Sequence, residues 1–282
     1  MFDIALVDTP FGLALDVAII VTAVGWLLSI LTRDYSWIDR MWSIMPSVYC
    51  LIVAIDLDFE SARVNLMTAV ALAWSIRLTL NLMVKGGYKV GHEDYRWVYL
   101  RENLGQLKFQ VLNLTFTCFG QMAIVWLFTA PVHQAWQHAG QSLGWLDYLA
   151  AVLFLLFLAI ETIGDIQMLR FQNNKKRLIS EGAEVEQPFI TTGFFRFCRH
   201  PSHTCEIAMW LVFYLFAISA AGEIWHWTGI GGVVLFLMFQ TSTRFGEKLS
   251  LEKYPSYARY QEAVPIFIPN PLRIWRSRTG DS

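Results

Sequence analysis

The segment FRFCRHPSHTCEIAMW, Phe195 to Trp210, places Arg196, Arg199 and His200 directly before a proline and then opens an apolar run with a carboxylate, Glu206, near its start. Pro201 suits a first helical turn, where its fixed φ fits and its missing N–H forfeits no helical bond. Ser202 and Thr204 are placed to serve other N–H groups of that turn. A helix N-terminus beside guanidinium groups favours anionic oxygens, so phosphate is the natural guest. Upstream, Glu161 and Asp165 are four apart and share one helix face. Arg170 and the run Lys175, Lys176, Arg177 follow. Arginines for phosphate beside carboxylates for ribose or amide groups describe a bound cofactor that carries both. Membrane topology alone accounts equally well for the loop lysines.

The tail repeats the pattern in RFGEKLSLEKYPSYARYQEAVPIFIP, Arg244 to Pro269. Arg244 and Glu247 end an apolar run, and Tyr254, Tyr257 and Tyr260 recur every three residues, one stripe if the segment is helical. Such stripes near a membrane are commonly interface belts. Here VPIFIP follows, which would end the helix and could lay an apolar strand back over the site. No GxGxxG follows a strand, which argues against a soluble dinucleotide fold. Gly229, Gly231 and Gly232 fall in an apolar run and are expected to serve helix packing. The four cysteines, Cys50, Cys118, Cys198 and Cys205, have no metal-ligand spacing, and no metal is expected.

These groups need a scaffold, and the composition indicates a membrane one. The 282 residues are 55% hydrophobic and only 16% charged, with a mean hydropathy of +0.41. Soluble domains carry about a quarter charged residues. A hydrocarbon core of about 30 Å needs roughly 20 apolar residues per helix. Seven windows qualify: 11–32, 37–56, 62–84, 109–130, 143–163, 205–221 and 224–245. The expectation is an all-α bundle of about seven transmembrane helices in one integral-membrane domain over 1–282, with the cofactor-binding half at about 145–270. The first run lacks the basic flank of a signal peptide and reads as a retained span.

Basic residues set the orientation. Lys85, Lys89, Arg96, Arg101 and Lys108 lie in one loop; Arg170 to Arg199 lie in the next, and Arg244 to Arg278 in the tail. Segment 56–63 has only Arg63, and 131–142 and 222–226 have no Lys or Arg. This places the N-terminus outside and the C-terminus in the cytoplasm, as in a multi-pass bacterial inner-membrane protein. With a net charge of −1, no nucleic-acid partner is expected. Ionisable residues at membrane depth signal function or a buried partner, and Asp39, Arg77, Glu161, Asp165, Glu206 and Arg244 sit within or at the ends of the windows. Asp16, in the outer half of the first, reads equally well as a water-facing carboxylate.

Three blocks, ETIGDIQMLRF (Glu161–Phe171), RHPSHTCEIAMW (Arg199–Trp210) and the tail, together resemble the steroid 5-alpha-reductase-like membrane oxidoreductases. SWIDRMWS (Ser36–Ser43), RLTLNL and GHEDYRW (Gly91–Trp97) resemble its bacterial branch. The C-terminal blocks are shared in looser form with sterol double-bond reductases and with isoprenylcysteine and phospholipid methyltransferases. The resemblance implies NADPH bound from the cytoplasmic side and a lipid-like substrate entering from the bilayer. It carries over cofactor contacts to Glu161, Asp165, Arg199, Ser202, Glu206, Arg244, Tyr257 and Tyr260; the arginine argument adds Arg170, Arg196 and His200. The Gln-Glu pair that holds a steroid carbonyl is absent, the stretches reading MWSIMPS and ALAWSIR.

The expected reaction is reduction of an activated C=C bond in a lipid or steroid-like enone, with membrane lipids as surroundings. The carbonyl oxygen gains enolate charge and needs a positioned donor. Asp39, Tyr49 and Tyr95 are the candidates for that donor, Asp39 only if burial keeps it protonated. Glu93, Asp94 and Arg96 could close over the cofactor or equally cap a helix. The rival readings are an S-adenosylmethionine-dependent lipid or isoprenylcysteine-type methyltransferase and a non-enzymatic lipid-binding membrane protein.

Overall fold

The computed structural model describes Leu6, residues 8–89, Gly91 and residues 93–270. His92 of the GHEDYRW block and Arg273, Arg276 and Arg278 of the basic tail lie outside the described residues. Among those described, the regular elements are all helical. The chain divides into two compact units, the first taking in the chain up to Leu155 with Trp210–Phe236, the second Leu156–Met209 with the chain from Leu237 onward.

The first unit begins with α1, Pro10–Thr32, whose start is fixed by the Thr9 side chain accepting from the Gly12 amide at 3.0 Å. Its buried face reads Phe11, Ala14, Ala18, Thr22, Gly25 and Ser29, spaced by threes and fours. Its exposed face carries Leu13, Ile19, Ile20, Val24, Leu27, Ile30 and Leu31. Small residues inward and large apolar ones outward is the arrangement a lipid solvent selects, because close backbone approach drives helix association there. A Cβ on Gly25 would lie 2.6 Å from Ile38 Cδ1 of α2 (Trp37–Trp42). Asp16 is exposed.

Five helical stretches are long and apolar enough to cross a membrane: Pro10–Thr32, Ala62–Val84, Gln106–Gln137, Trp145–Ser180 and Pro201–Ala221. The expected span at 37–56 is instead two pieces, α2 and α3 (Met45–Asp56). Pro46 near the start of α3 suits a new helix, not a continuing one, and 12 residues reach only about 18 Å. The 224–245 window also differs. Its helix runs from Ile230 to Lys253 and ends in charge.

α4 (Ala62–Val84) packs on α3, and α5 (Tyr95–Leu104) occupies the basic loop after it. α6 (Gln106–Leu112), a π-helical turn at Asn113–Gly120, α7 (Gln121–Thr129) and α8 (Pro131–Gln137) then form one 32-residue stretch. α9 (Trp145–Ser180), α10 (Pro201–Ala221), α11 (Ile230–Lys253) and α12 (Tyr257–Ala263) follow. The glycine expectation holds in the first unit. A Cβ on Gly231 would meet the Leu127 carbonyl oxygen at 2.1 Å, one on Gly232 Leu211 at 2.8 Å, and one on Gly229 the Tyr214 ring at 2.8 Å.

Arg63, the only basic residue of its loop, is consumed internally. Its Nε lies 2.9 Å from Asp147 Oδ1 and its Nη2 3.1 Å from Oδ2, with both residues almost fully buried. Nη2 also donates to the Ser142 carbonyl at 3.0 Å, while Ser219 and the Gly144 amide donate to Asp147 Oδ2 at 2.7 Å. Removing one partner of such a pair strands the other charge. Asp147→Ala should cost about 3–5 kcal/mol, seen as a lower unfolding midpoint in detergent. Arg177→Ala, which breaks the exposed Arg177–Glu181 pair, should change it by under about 0.5 kcal/mol.

Candidate functional site

In the second unit, Glu247 of α11 is the centre of the polar structure, and sequence reasoning gave it no role. Its carboxylate receives Arg199 Nε at 2.6 Å and Nη2 at 3.0 Å, Gln261 Nε2 at 3.0 Å and the Tyr257 hydroxyl at 3.2 Å. His200 Nε2 lies 2.9 Å from Oε1. The signal that could have found Glu247 was a carboxylate set where an apolar helix gives way to charge. Burial by itself would raise its pKa, but hydrogen bonds and charges from His200 and Arg199 win and hold it down at about 2.

Arg199 is therefore an internal pin. Its remaining nitrogen, Nη1, donates to the Gln261 carbonyl at 2.8 Å and to that of Val264. The segment after α12 does fold back, as VPIFIP suggested. The Arg199 amide donates to Pro265 O at 2.9 Å and the His200 amide to Ile266 O at 3.2 Å. Cys198 Sγ and Thr204 Oγ1 each reach Phe267 O at 2.8 Å. The Arg199 and His200 amides at the α10 entrance thus have partners within the chain.

The tyrosines are not one helical stripe, because α11 stops at Lys253 before Pro255 and α12 starts at Tyr257. All three still gather on Phe189, with ring centroids at 6.3, 5.0 and 5.6 Å for Tyr254, Tyr257 and Tyr260. Tyr260 donates to the Phe195 carbonyl, and burial raises its pKa as it does that of Tyr257, so both stay donors. Lys175 bonds the Tyr254 hydroxyl at 3.0 Å and the Pro188 carbonyl, tying the loop to α9.

The α9–α10 face carries the other predicted contacts. Ser202 donates to Asp165 Oδ1 at 3.3 Å, and a Cβ on Gly164 would lie 3.4 Å from Ser202 Oγ. One turn back on α9 is Glu161 and one turn on along α10 is Glu206, each 5% exposed. Gln167 accepts from the Phe194 amide at 2.9 Å, and Gly193, at φ +61°, allows this approach, since a Cβ would lie 2.3 Å from Gln167 Oε1. His203 lies 2.8 Å from Thr243 and stacks on His200. Arg170, Arg196 and Arg244 are exposed and make no ion pair among the described residues.

The donor candidates lie in the first unit. Tyr35 N donates to Glu93 Oε1 at 3.2 Å, Asp94 N to Ser36 Oγ at 3.0 Å, and Trp97 Nε1 to Asp39 Oδ2 at 2.9 Å. The SWIDR and EDYRW motifs are thus stitched together. Asp94 caps α5 through the Arg96 amide at 2.8 Å, so the capping reading of that residue holds. Burial pushes the Asp39 carboxyl up to about 6, against the pull of Arg96. Tyr95 is 61% exposed. Tyr49 is fully buried, with its hydroxyl unbonded among the described residues. No group of three metal-ligating side chains occurs among the described residues.

A family described as a protein of unknown function, DUF1295, matches residues 25–264. The chain belongs to this family. DUF1295 is part of the steroid 5-alpha-reductase-like superfamily. An uncharacterised protein of Schizosaccharomyces pombe is 32% identical over 274 residues, covering 92% of this chain and 80% of that protein. The cobalt-zinc-cadmium resistance protein CzcN of Cupriavidus metallidurans is 21% identical over 135 residues, 48% of this chain and 56% of its own length. No solved structure matches.

The Glu247 node makes the stability of this DUF1295 chain acid-sensitive. A carboxylate held at about 2 against its ordinary 4.5 favours the folded state above pH 4.5 and loses that contribution as pH falls towards 2. The full contribution is about 3 kcal/mol. Unfolding midpoints measured across this window should fall for the wild type. Glu247→Gln should start lower at pH 7 and show a flatter decline.

Proposed function

We propose that this chain is a multi-pass membrane reductase that uses NADPH to saturate an activated C=C bond in a lipid or steroid-like enone. The observation that carries the reading is the α9–α10 face, where Asp165, Ser202, Glu161 and Glu206 lie within a turn or so of one another. Its residue types suit a dinucleotide: carboxylates and a hydroxyl for ribose and carboxamide groups, and the exposed Arg170, Arg196 and Arg244 for phosphates. Arg199 and His200, engaged by Glu247, would shape the region without contacting phosphate, and Tyr257 and Tyr260 would brace it.

When bound, NADPH supplies the hydride. The protein's part is to exclude water, orient the lipid and supply a proton. Asp39 suits that last task best of the three donor candidates, since its carboxyl holds a proton more readily than an ordinary aspartate. The resemblance of the SWIDR and EDYRW motifs to the reductase branch supports the same choice. The basic loops support an arrangement with about seven membrane-embedded segments, the N-terminus outside and the site facing the cytoplasm of a bacterial inner membrane.

S-adenosylmethionine is the second reading, favoured by the engagement of Arg199, because that cofactor carries no phosphate. Purified protein in detergent should be stabilised by NADPH, and Asp165→Ala should weaken that binding about tenfold, or 1.4 kcal/mol. Stabilisation by S-adenosylmethionine alone would replace the reductase reading with the methyltransferase one. A response to neither would favour a lipid-binding protein.

A further inference from the structure

We infer that Trp97 is the positioning residue for Asp39, fixing one carboxyl oxygen through its indole N–H so that the other is presented to the reacting lipid. The inference rests on the reductase reading in its use of Asp39 as the acid. The placement of the pair stands on geometry of its own.

Trp97 Nε1 donates to Asp39 Oδ2 at 2.9 Å, and no donor among the described residues engages Oδ1. The indole is 5% exposed and held by apolar packing with Tyr35, Phe109 and Leu100. Tyr35 meets Phe109 edge-on at 4.7 Å, and Gln110 Nε2 donates to the Tyr35 hydroxyl at 2.6 Å. The Tyr35–Glu93, Ser36–Asp94 and Asp39–Trp97 bonds all join residues 58 apart in sequence. The Asp39 segment and the Trp97 segment therefore run in constant register, and the indole cannot slide along the carboxyl. A buried indole N–H seeks an acceptor, and a carboxylate is the strongest one available.

The charged and titratable groups around the carboxyl are Arg96 and Asp94 from the α5 end, Arg40 from its own helix and Cys118 from the π-helical turn. Asp94 already pairs with Arg96 at 2.9 Å, and Arg40 with Asp34 at 2.6 Å. Neither arginine is left to neutralise Asp39 alone. π-Helical turns occur often at functional sites, and this one brings Cys118 into the neighbourhood of Asp39.

The test follows the Asp39 proton directly. The carboxylic-acid C=O infrared band of the protein in lipid should include one component absent from Asp39→Asn. In Trp97→Phe that component should titrate about one pH unit higher, a tenfold change in proton affinity, because the lost indole bond favoured the carboxylate. With NADPH and an enone, the fall in kcat at high pH should move up by the same amount while NADPH affinity stays within twofold. An Asp39 component that titrates identically in Trp97→Phe overturns the inference, even where that variant is less stable. A shifted infrared titration in a protein with no NADPH turnover upholds the positioning and removes the reductase reading instead.

Discussion

The second unit depends on one carboxylate. Glu247 receives two guanidinium nitrogens and an imidazole from the α10 entrance, and an amide and a phenol from α12. Taking so much polar structure out of water is costly unless each member is satisfied. Here satisfaction comes by closure: the Arg199 nitrogen not bonded to Glu247 finishes on backbone carbonyls of the returning segment. The α10 entrance, α11, α12 and the segment after it are fixed to one another by this centre, which leaves the α9–α10 face with a defined shape.

A similar logic appears in the first unit with different partners. Arg63 and Asp147 satisfy each other almost completely out of solvent, helped by Ser219 and two backbone groups. Between them the two nodes show how a chain this poor in charge uses it. Arg63, Asp147 and Glu247 are buried in multi-partner bonds, while Arg170, Arg196 and Arg244 are exposed.

Much of the fold could be read from the sequence because hydropathy and helix length are strong local signals. Windows 11–32 and 62–84 match α1 and α4 within a residue or two. Signals that depend on partners were harder to read. Sequence spacing cannot tell an arginine facing a ligand from one facing a carboxylate 48 residues away, so Arg199 looked like a phosphate contact and Glu247 like a helix end. Pro255 split the tyrosine stripe, yet tertiary packing on Phe189 regrouped it. The Asp39–Trp97 bond spans 58 residues and left no trace in periodicity, although the two motifs that make it were each conspicuous.

The inside-out arrangement of α1 bears on how this protein could be handled. Its packing depends on Ala14, Ala18, Gly25 and their neighbours, whereas Leu13, Ile20, Leu27 and Leu31 are exposed. The outer coat and the inner joinery are therefore separable. A water-soluble version could be sought by repainting the coat with glutamate and lysine while leaving every small residue of the seam untouched.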